Sequence, residues 1–225
     1  MLPYALIRSR RKTIAIHITK DATVEVRVPM KTSKADIDRF VASKADWIVD
    51  HLTQRKRRNE EAAAFALNYG ATVLYRGAPY PIQARAGRKA GFDGDCFYMP
   101  PDLPSDAIKA SLIKTYKAFA KEILTEKTHE YAKRMAVVPA AIKINSAKTR
   151  WGSCSGKKSI NYSWRLVMAD DSVIDYVVVH ELAHIREHNH SPRFWAIVEN
   201  ALPDYKQRQK RLKELQVKLS REDWD

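Results

Sequence analysis

The stretch that decides the fold runs from Asp175 to His184 and reads DYVVVHELAH, with two histidines four positions apart. Residues four apart on an α-helix lie on the same face, one turn above each other. His180 and His184 can therefore bind one metal ion, and Glu181 would lie beside that ion. In this position a glutamate acts as general base towards a metal-activated water. The stretch predicts a metal-binding helix of the zinc-hydrolase type.

A catalytic zinc ion needs a third protein ligand. His188 shares a helix face with His180 and His184. On a straight helix, however, these three residues would spread over about 12 Å, at roughly 1.5 Å per residue. They could not all reach one ion at a distance of about 2.0–2.1 Å. The third ligand must therefore come from chain that turns back after the first helix.

The residues that follow, Asn189, His190, Ser191 and Pro192, favour such a turn. Asparagine tolerates the left-handed conformation that ends helices, serine is a good N-cap, and proline suits the first helical position. We predict that the first helix ends near Asn189 and that a second begins at Pro192. His190 in the turn is then the third ligand, with Glu199 on the second helix as the alternative.

Apolar side chains surround most of the metal-binding helix, and many of them are β-branched. They are Val173, Ile174, Tyr176, Val177, Val178, Val179, Leu182 and Ile185. A helix that is apolar nearly all round must be packed deeply inside the protein. Ser172 and Asp175 form a possible capping box at its start. The metal site is therefore expected on a buried, rigid element.

Composition is that of an ordinary globular protein: 225 residues, 45% hydrophobic and 29% charged, with a net charge of +14. The positive charge suggests affinity for polyanions. No segment reaches the roughly 18 apolar residues of a membrane span, and the apolar run at the start is too short for a signal peptide. We therefore expect a cytoplasmic protein in which Cys96 and Cys154 are free thiols.

The first part of the chain predicts a β-rich region, residues 1–103, with one helix. Alternating apolar residues at 14–18 and 24–28 predict a hairpin, and residues 72–76 and 80–84 predict two further strands. Between these pairs, Ser33 is the expected N-cap of a single helix that continues past Leu52. The glycines at 87, 91 and 94 indicate a loop or hairpin.

The second part, residues 104–225, predicts the catalytic domain. A long helix is expected from Ser105 to about Met135, followed by strands at 142–145 and 159–164 with a small-residue loop at 149–156 between them. A basic amphipathic helix begins at Tyr205. The expected fold class is α+β: an active-site helix with a small mixed sheet, preceded by the β-rich region.

Three runs carry a resemblance to a known family: TRWGSC at 149–154, VIDYVVVHELAH at 173–184 and NHSPRFW at 189–195. Together they resemble the YgjP-like metallopeptidases, which are related to the SprT and WLM peptidases. The resemblance implies a zincin-like fold, Zn²⁺ held by His180, His184 and His190, and Glu181 as the catalytic base. The glycine of the metzincin motif is absent, because position 187 is a glutamate, so that clan is not assigned.

The expected reaction is hydrolysis of a peptide bond in a peptide or protein substrate. Zincins bind substrate as an added strand along a sheet edge, and residues 160–164 are the candidate edge strand. A further donor must stabilise the oxyanion, and Arg150, Tyr162 and Arg193 are the candidates. Cys154 is interpreted as a structural thiol and not as a nucleophile.

Three basic stretches, at residues 8–12, 55–58 and 206–218, suggest a second possibility. Such stretches usually form solvated faces, but they also bind nucleic acid. The alternative function is therefore a DNA-associated protein: either a SprT-like protease that acts on DNA-bound proteins, or a nucleic-acid-binding protein with a structural zinc site. A structural site would not require Glu181, and its fourth position would normally be filled by cysteine or histidine.

Overall fold

The computed structural model describes residues 2–87 and 89–224. The described chain packs as two compact units. The first extends to Phe65 and includes Leu219–Asp223, and the second comprises Ala66–Lys218 with Trp224. The division thus falls near residue 65, whereas the sequence suggested a boundary at residue 103.

The first unit contains a three-stranded sheet and two helices. Its elements are β1 (Ala5–Ser9), β2 (Ala15–Ile18), β3 (Val24–Pro29), α1 (Lys34–Ala42) and α2 (Ala45–Ala63). The strand order is β1-β3-β2, with β1 parallel and β2 antiparallel to β3. The predicted β2–β3 hairpin is therefore confirmed, and its core is formed by Val24, Val26, Val28, Ile37, Val41 and Ile48.

The single helix predicted from Ser33 is two helices. Ser33 is the N-cap of α1, as expected, and its side chain accepts a hydrogen bond from the amide of Asp36. The helix ends at Ser43, whose hydroxyl donates to the carbonyl oxygen of Phe40 at 2.8 Å. No glycine or proline marks this break, so the apolar spacing alone suggested one continuous helix.

The second unit begins with a four-stranded sheet that packs on a long helix. The elements are β4 (Thr72–Tyr75), β5 (Ala78–Ala84), β6 (Gly91–Phe92), β7 (Phe97–Met99) and α3 (Ser105–Arg134), and the strand order is β4-β5-β7-β6. Tyr116 of α3 is fully buried, contacts the ring of Phe97 and donates a hydrogen bond to the carbonyl oxygen of Leu74 at 2.7 Å. These contacts place β4 to β7 in the second unit with α3.

A second sheet lies beside the metal-binding helix and contains β8 (Ala141–Asn145), β9 (Gly152–Cys154) and β10 (Ser159–Ser163). Its order is β8-β10-β9, so β10 pairs on both sides. The prediction that residues 160–164 form the edge strand is therefore wrong. The edge next to the metal-binding helix is β9, within the stretch that was predicted as a loop.

The remaining elements are a 3-10 helix (Trp164–Met168), α4 (Asp171–Ala183), α5 (Pro192–Ala201) and α6 (Tyr205–Leu219). Helix α4 carries the metal motif, and it ends at His184, earlier than the predicted end near Asn189. Its N-cap is Asp170, not Ser172. Helix α5 begins as predicted, with Ser191 as N-cap and Pro192 in the first turn. The α+β class is confirmed.

The start of α4 is anchored from several sides. The β4–β5 turn contributes backbone hydrogen bonds from Arg76 to Val167 and from Gly77 to Met168, at 2.8 and 3.1 Å. The Arg76 guanidinium pairs with Asp171.

Within the part of the chain that the structure describes, no helix is both long and apolar enough to cross a membrane.

Candidate metal centre

The three predicted ligands come together around one point. His180 lies on α4, His184 caps its C-terminus, and His190 lies in the turn that leads into α5. One ring nitrogen from each histidine forms a group whose members all lie within 4.8 Å of one another. The turn therefore returns His190 to the helix face that carries the other two histidines.

The spacing of these nitrogens suits a metal ion. The Nε2 atoms of His180 and His190 are 3.1 Å apart. Two ligands of one tetrahedral ion, each about 2.0–2.1 Å from the metal, lie roughly 3.3 Å apart. Burial, with smaller contributions from His184 and His190, lowers the pKa of His180 to about 3. Its imidazole is thus neutral, which is the form that binds metal.

His184 is oriented by its own backbone. Its Nδ1 lies 3.1 Å from the carbonyl oxygen of Glu187, so that Nδ1 carries the proton and Nε2 is free to bind a metal. His188 and Glu199 are exposed and do not belong to the ligand group. The described structure therefore brings together the three histidines of the preferred ligand set and leaves Glu199 outside it.

The fully buried ring of Phe194 packs against all three histidines. Its centroid lies 4.9 Å from that of His180, 4.5 Å from that of His184 and 4.8 Å from that of His190. Trp195 stacks on the exposed His190 ring at 5.7 Å. These contacts restrict the orientation of the imidazoles, as side chains around a metal site generally do.

Glu181 follows His180 on α4 and is only 5% exposed. Its Oε2 atom is buried and has no hydrogen-bond partner among the described residues. Burial raises the pKa of Glu181 to about 8, and the positive charge of Arg150 opposes that rise. A raised pKa is typical of a carboxylate that accepts and releases a proton in a reaction.

Strand β9 packs directly on this carboxylate. A Cβ atom on Gly152 would lie 2.5 Å from Oε1 of Glu181, so only glycine permits this close approach. Among the described residues no strand pairs with the outer edge of β9. The catalytic glutamate candidate and an open strand edge are therefore neighbours.

Two other residues near Glu181 can now be assessed. Burial, followed by the charge of Glu181, raises the pKa of the Cys154 thiol. A thiol with a raised pKa is a poor nucleophile, which agrees with a structural role. Tyr162 is fully buried, and its hydroxyl lies 3.1 Å from that of Thr128 in the interior. It is not available to a substrate at the open edge.

A helix whose HExxH histidines meet a third histidine, beside a buried glutamate, defines a class of metal-dependent hydrolases. The model of one protein family, described as "YgjP-like, metallopeptidase domain", matches residues 12–215, which is most of the chain. The protein therefore belongs to the YgjP-like metallopeptidase family, as the sequence resemblance predicted. No curated protein is significantly similar to the chain.

Two solved structures show weaker similarity. The metallopeptidase zymogen of Pyrococcus abyssi abylysin is 20% identical, with a TM-score of 0.39, over 44% of this chain and 98% of that chain. The metallopeptidase zymogen of Methanocaldococcus jannaschii jannalysin is also 20% identical, with a TM-score of 0.37, over 40% of this chain and 94% of that chain.

Sequence reasoning did not identify the roles of Gly152 and Phe194. Both lie in the runs that carry the family resemblance. However, a glycine in a small-residue stretch and a phenylalanine on an amphipathic helix are ordinary features. Their importance depends on contacts with α4 and with the histidines, and sequence spacing does not show those contacts.

Proposed function

We propose that the protein is a zinc-dependent peptidase in which His180, His184 and His190 bind the metal and Glu181 is the general base. The observation that carries this proposal is a three-histidine cluster with a buried glutamate directly after its first ligand, whose carboxylate contacts Gly152 on the edge strand β9. Three neutral nitrogen donors suit Zn²⁺ and leave its fourth position for water or substrate.

When bound, the zinc ion would polarise a carbonyl group and lower the pKa of a coordinated water towards about 7. Glu181 would take the proton from the attacking water and pass it to the leaving amine. The burial that raises its pKa also helps the carboxylate hold the proton between these two steps. Phe194 would keep the imidazoles in the orientation that the metal requires.

Substrate would bind in extended form along the outer edge of β9. An added strand there would use the unpaired backbone groups of residues 152–154. Its scissile bond would then pass close to Glu181, since Gly152 touches that side chain. Residues 160–164 offer no such edge, because β10 is paired on both sides.

Arg150 is the best candidate for stabilising the oxyanion. It is exposed, it directly precedes the β9 region, and its charge acts on Glu181. Arg193 is also exposed, in the first turn of α5, and remains the second candidate. Tyr162 is set aside because its hydroxyl is buried against Thr128.

The test is cleavage of a peptide library by the zinc-loaded protein and by two variants, Glu181→Gln and Glu187→Gln. Glu181→Gln should keep the metal and lose cleavage. Glu187→Gln is the matched control, because the Glu187 contact with His184 comes from the backbone carbonyl, which the substitution keeps. Turnover by Glu181→Gln at the wild-type rate would refute the assignment of the base.

The alternative, a nucleic-acid-associated protein with a structural zinc site, is less well supported. Structural zinc sites are usually closed by four protein ligands. Among the described residues the ligand group contains three histidines, and one of them is exposed. A buried glutamate beside the group also has no purpose in a structural site.

A further inference from the structure

A cavity lies beside the N-terminal half of α3, away from the metal centre. It has a volume of about 720 Å³, within the usual range for ligand sites. Its walls come from the β6–β7 hairpin and from α3, and they include Phe92, Tyr98, Ser111, Thr115 and Phe119. The cavity therefore combines aromatic rings with hydroxyl groups.

Two lysines, Lys89 and Lys114, border the cavity. Both are exposed, and neither forms an ion pair among the described residues. Lys117 and Lys121 follow on the same exposed face of α3, at spacings of three and four residues. The cavity thus opens beside a stripe of exposed positive charge.

The basic stretches that the sequence singled out differ from this stripe. Arg8 donates to the carbonyl oxygens of Met30 and Thr32 at 2.9 and 2.8 Å. Arg57 pairs with Glu61. On α6, Arg208 pairs with Asp175 and Asp204. Arg211 pairs with Asp170 and donates a hydrogen bond to the hydroxyl of Ser172. Part of that charge therefore serves the fold, and the cavity stripe differs from these stretches in lying beside aromatic rings.

We propose that this cavity and its lysines bind single-stranded nucleic acid. Lysines beside the opening would neutralise backbone phosphates, and a base would insert against the aromatic wall. This combination of a basic track and aromatic rings is how proteins bind single strands with little sequence preference. An acidic peptide would satisfy the lysines but would offer no flat ring to the aromatic wall.

The site is separate from the metal centre. Thr115 lines the cavity, whereas Thr128 contacts Tyr162, which pairs with Gly152 beside Glu181. These two positions on α3 are thirteen residues apart, or about 20 Å along the helix axis. A bound nucleic-acid strand would therefore leave the edge of β9 accessible to substrate.

The test is fluorescence anisotropy of a short fluorescein-labelled oligothymidylate, measured over a range of salt concentrations. The double charge reversal Lys89→Glu/Lys114→Glu should weaken binding by about tenfold or more. A plot of the logarithm of the binding constant against the logarithm of the salt concentration should also become less steep, by about 1.4. Each phosphate contact to a single strand contributes roughly 0.7 to that slope.

The matched control is Lys210→Glu/Lys213→Glu on α6, which changes the net charge equally at exposed positions. The neutral pair Lys89→Gln/Lys114→Gln is used if circular dichroism shows that the reversal does not fold. Phe119→Leu, which keeps an apolar side chain on α3 but removes an aromatic ring from the cavity wall, should weaken binding by about tenfold without a change in charge, because a base loses its stacking partner.

Three results would overturn the proposal. One is an absence of binding at low salt. Another is an equal loss of affinity in the α6 control, which would mean that binding depends only on net charge. The third is equally effective displacement of the strand by polyglutamate, which would show a general polyanion surface in place of a site for bases.

Discussion

Replacing Gly152 with alanine tests the contact between β9 and Glu181, the proposed catalytic base. The added Cβ would lie 2.5 Å from Oε1 and 2.8 Å from Cδ of Glu181. To restore ordinary contact at 3.4 Å, the carboxylate must move by about 0.9 Å. Displacement of a catalytic group by about 1 Å can reduce the rate roughly 100-fold. This corresponds to about 2.7 kcal/mol in the activation free energy.

The assay is steady-state cleavage of a peptide that the wild type hydrolyses, together with metal analysis. Gly152→Ala should show a kcat about 100-fold lower with its zinc content unchanged, because Glu181 is not a ligand. Gly156→Ala is the matched control, since a Cβ on Gly156 meets nothing within 4 Å. A Gly152→Ala variant with full kcat would refute the argument that the backbone of β9 positions the base.

Three further predictions concern the metal centre and the start of the helix that carries it. Phe194→Leu should weaken zinc binding by about tenfold in a calorimetric titration, because it removes a ring that contacts all three histidines. Gly77→Ala should destabilise the protein by about 2–4 kcal/mol in denaturant unfolding, since Gly77 has φ +82 and its Cβ would lie 2.7 Å from Asp170. Arg76→Ala should lower the melting temperature at pH 7. That difference should disappear in acid, because Arg76 lowers the pKa of Asp171 below its ordinary value of 3.8. The ion pair therefore stabilises the fold fully above pH 3.8, and this stabilisation is lost as the pH falls through the lowered pKa.

Much of the candidate site could be predicted from local sequence rules. The spacing of His180 and His184 follows from the helical repeat, and the turn residues after Asn189 indicated where His190 would lie. These rules depend on neighbouring residues only. They therefore remain valid although α4 ends at His184 and not near Asn189.

The open edge at β9 could not be predicted in the same way. Gly152–Cys154 contains small residues with weak strand preference, and it becomes a strand because it pairs with β10. The apolar residues at 160–164 indicated a strand correctly. Periodicity does not show how many neighbours a strand has, and β10 lies between two others. The helix break at Ser43 has a similar cause, since it depends on a local hydrogen bond that has no strong sequence signal.

The zinc affinity of the histidine variants tests the central claim most directly. Zinc would be titrated calorimetrically into metal-free wild type, His190→Ala, His188→Ala and Glu199→Ala. The account predicts that His190→Ala loses high-affinity binding, while His188→Ala and Glu199→Ala bind one zinc ion as the wild type does. Wild-type affinity in His190→Ala, with loss of binding in Glu199→Ala, would contradict the three-histidine centre.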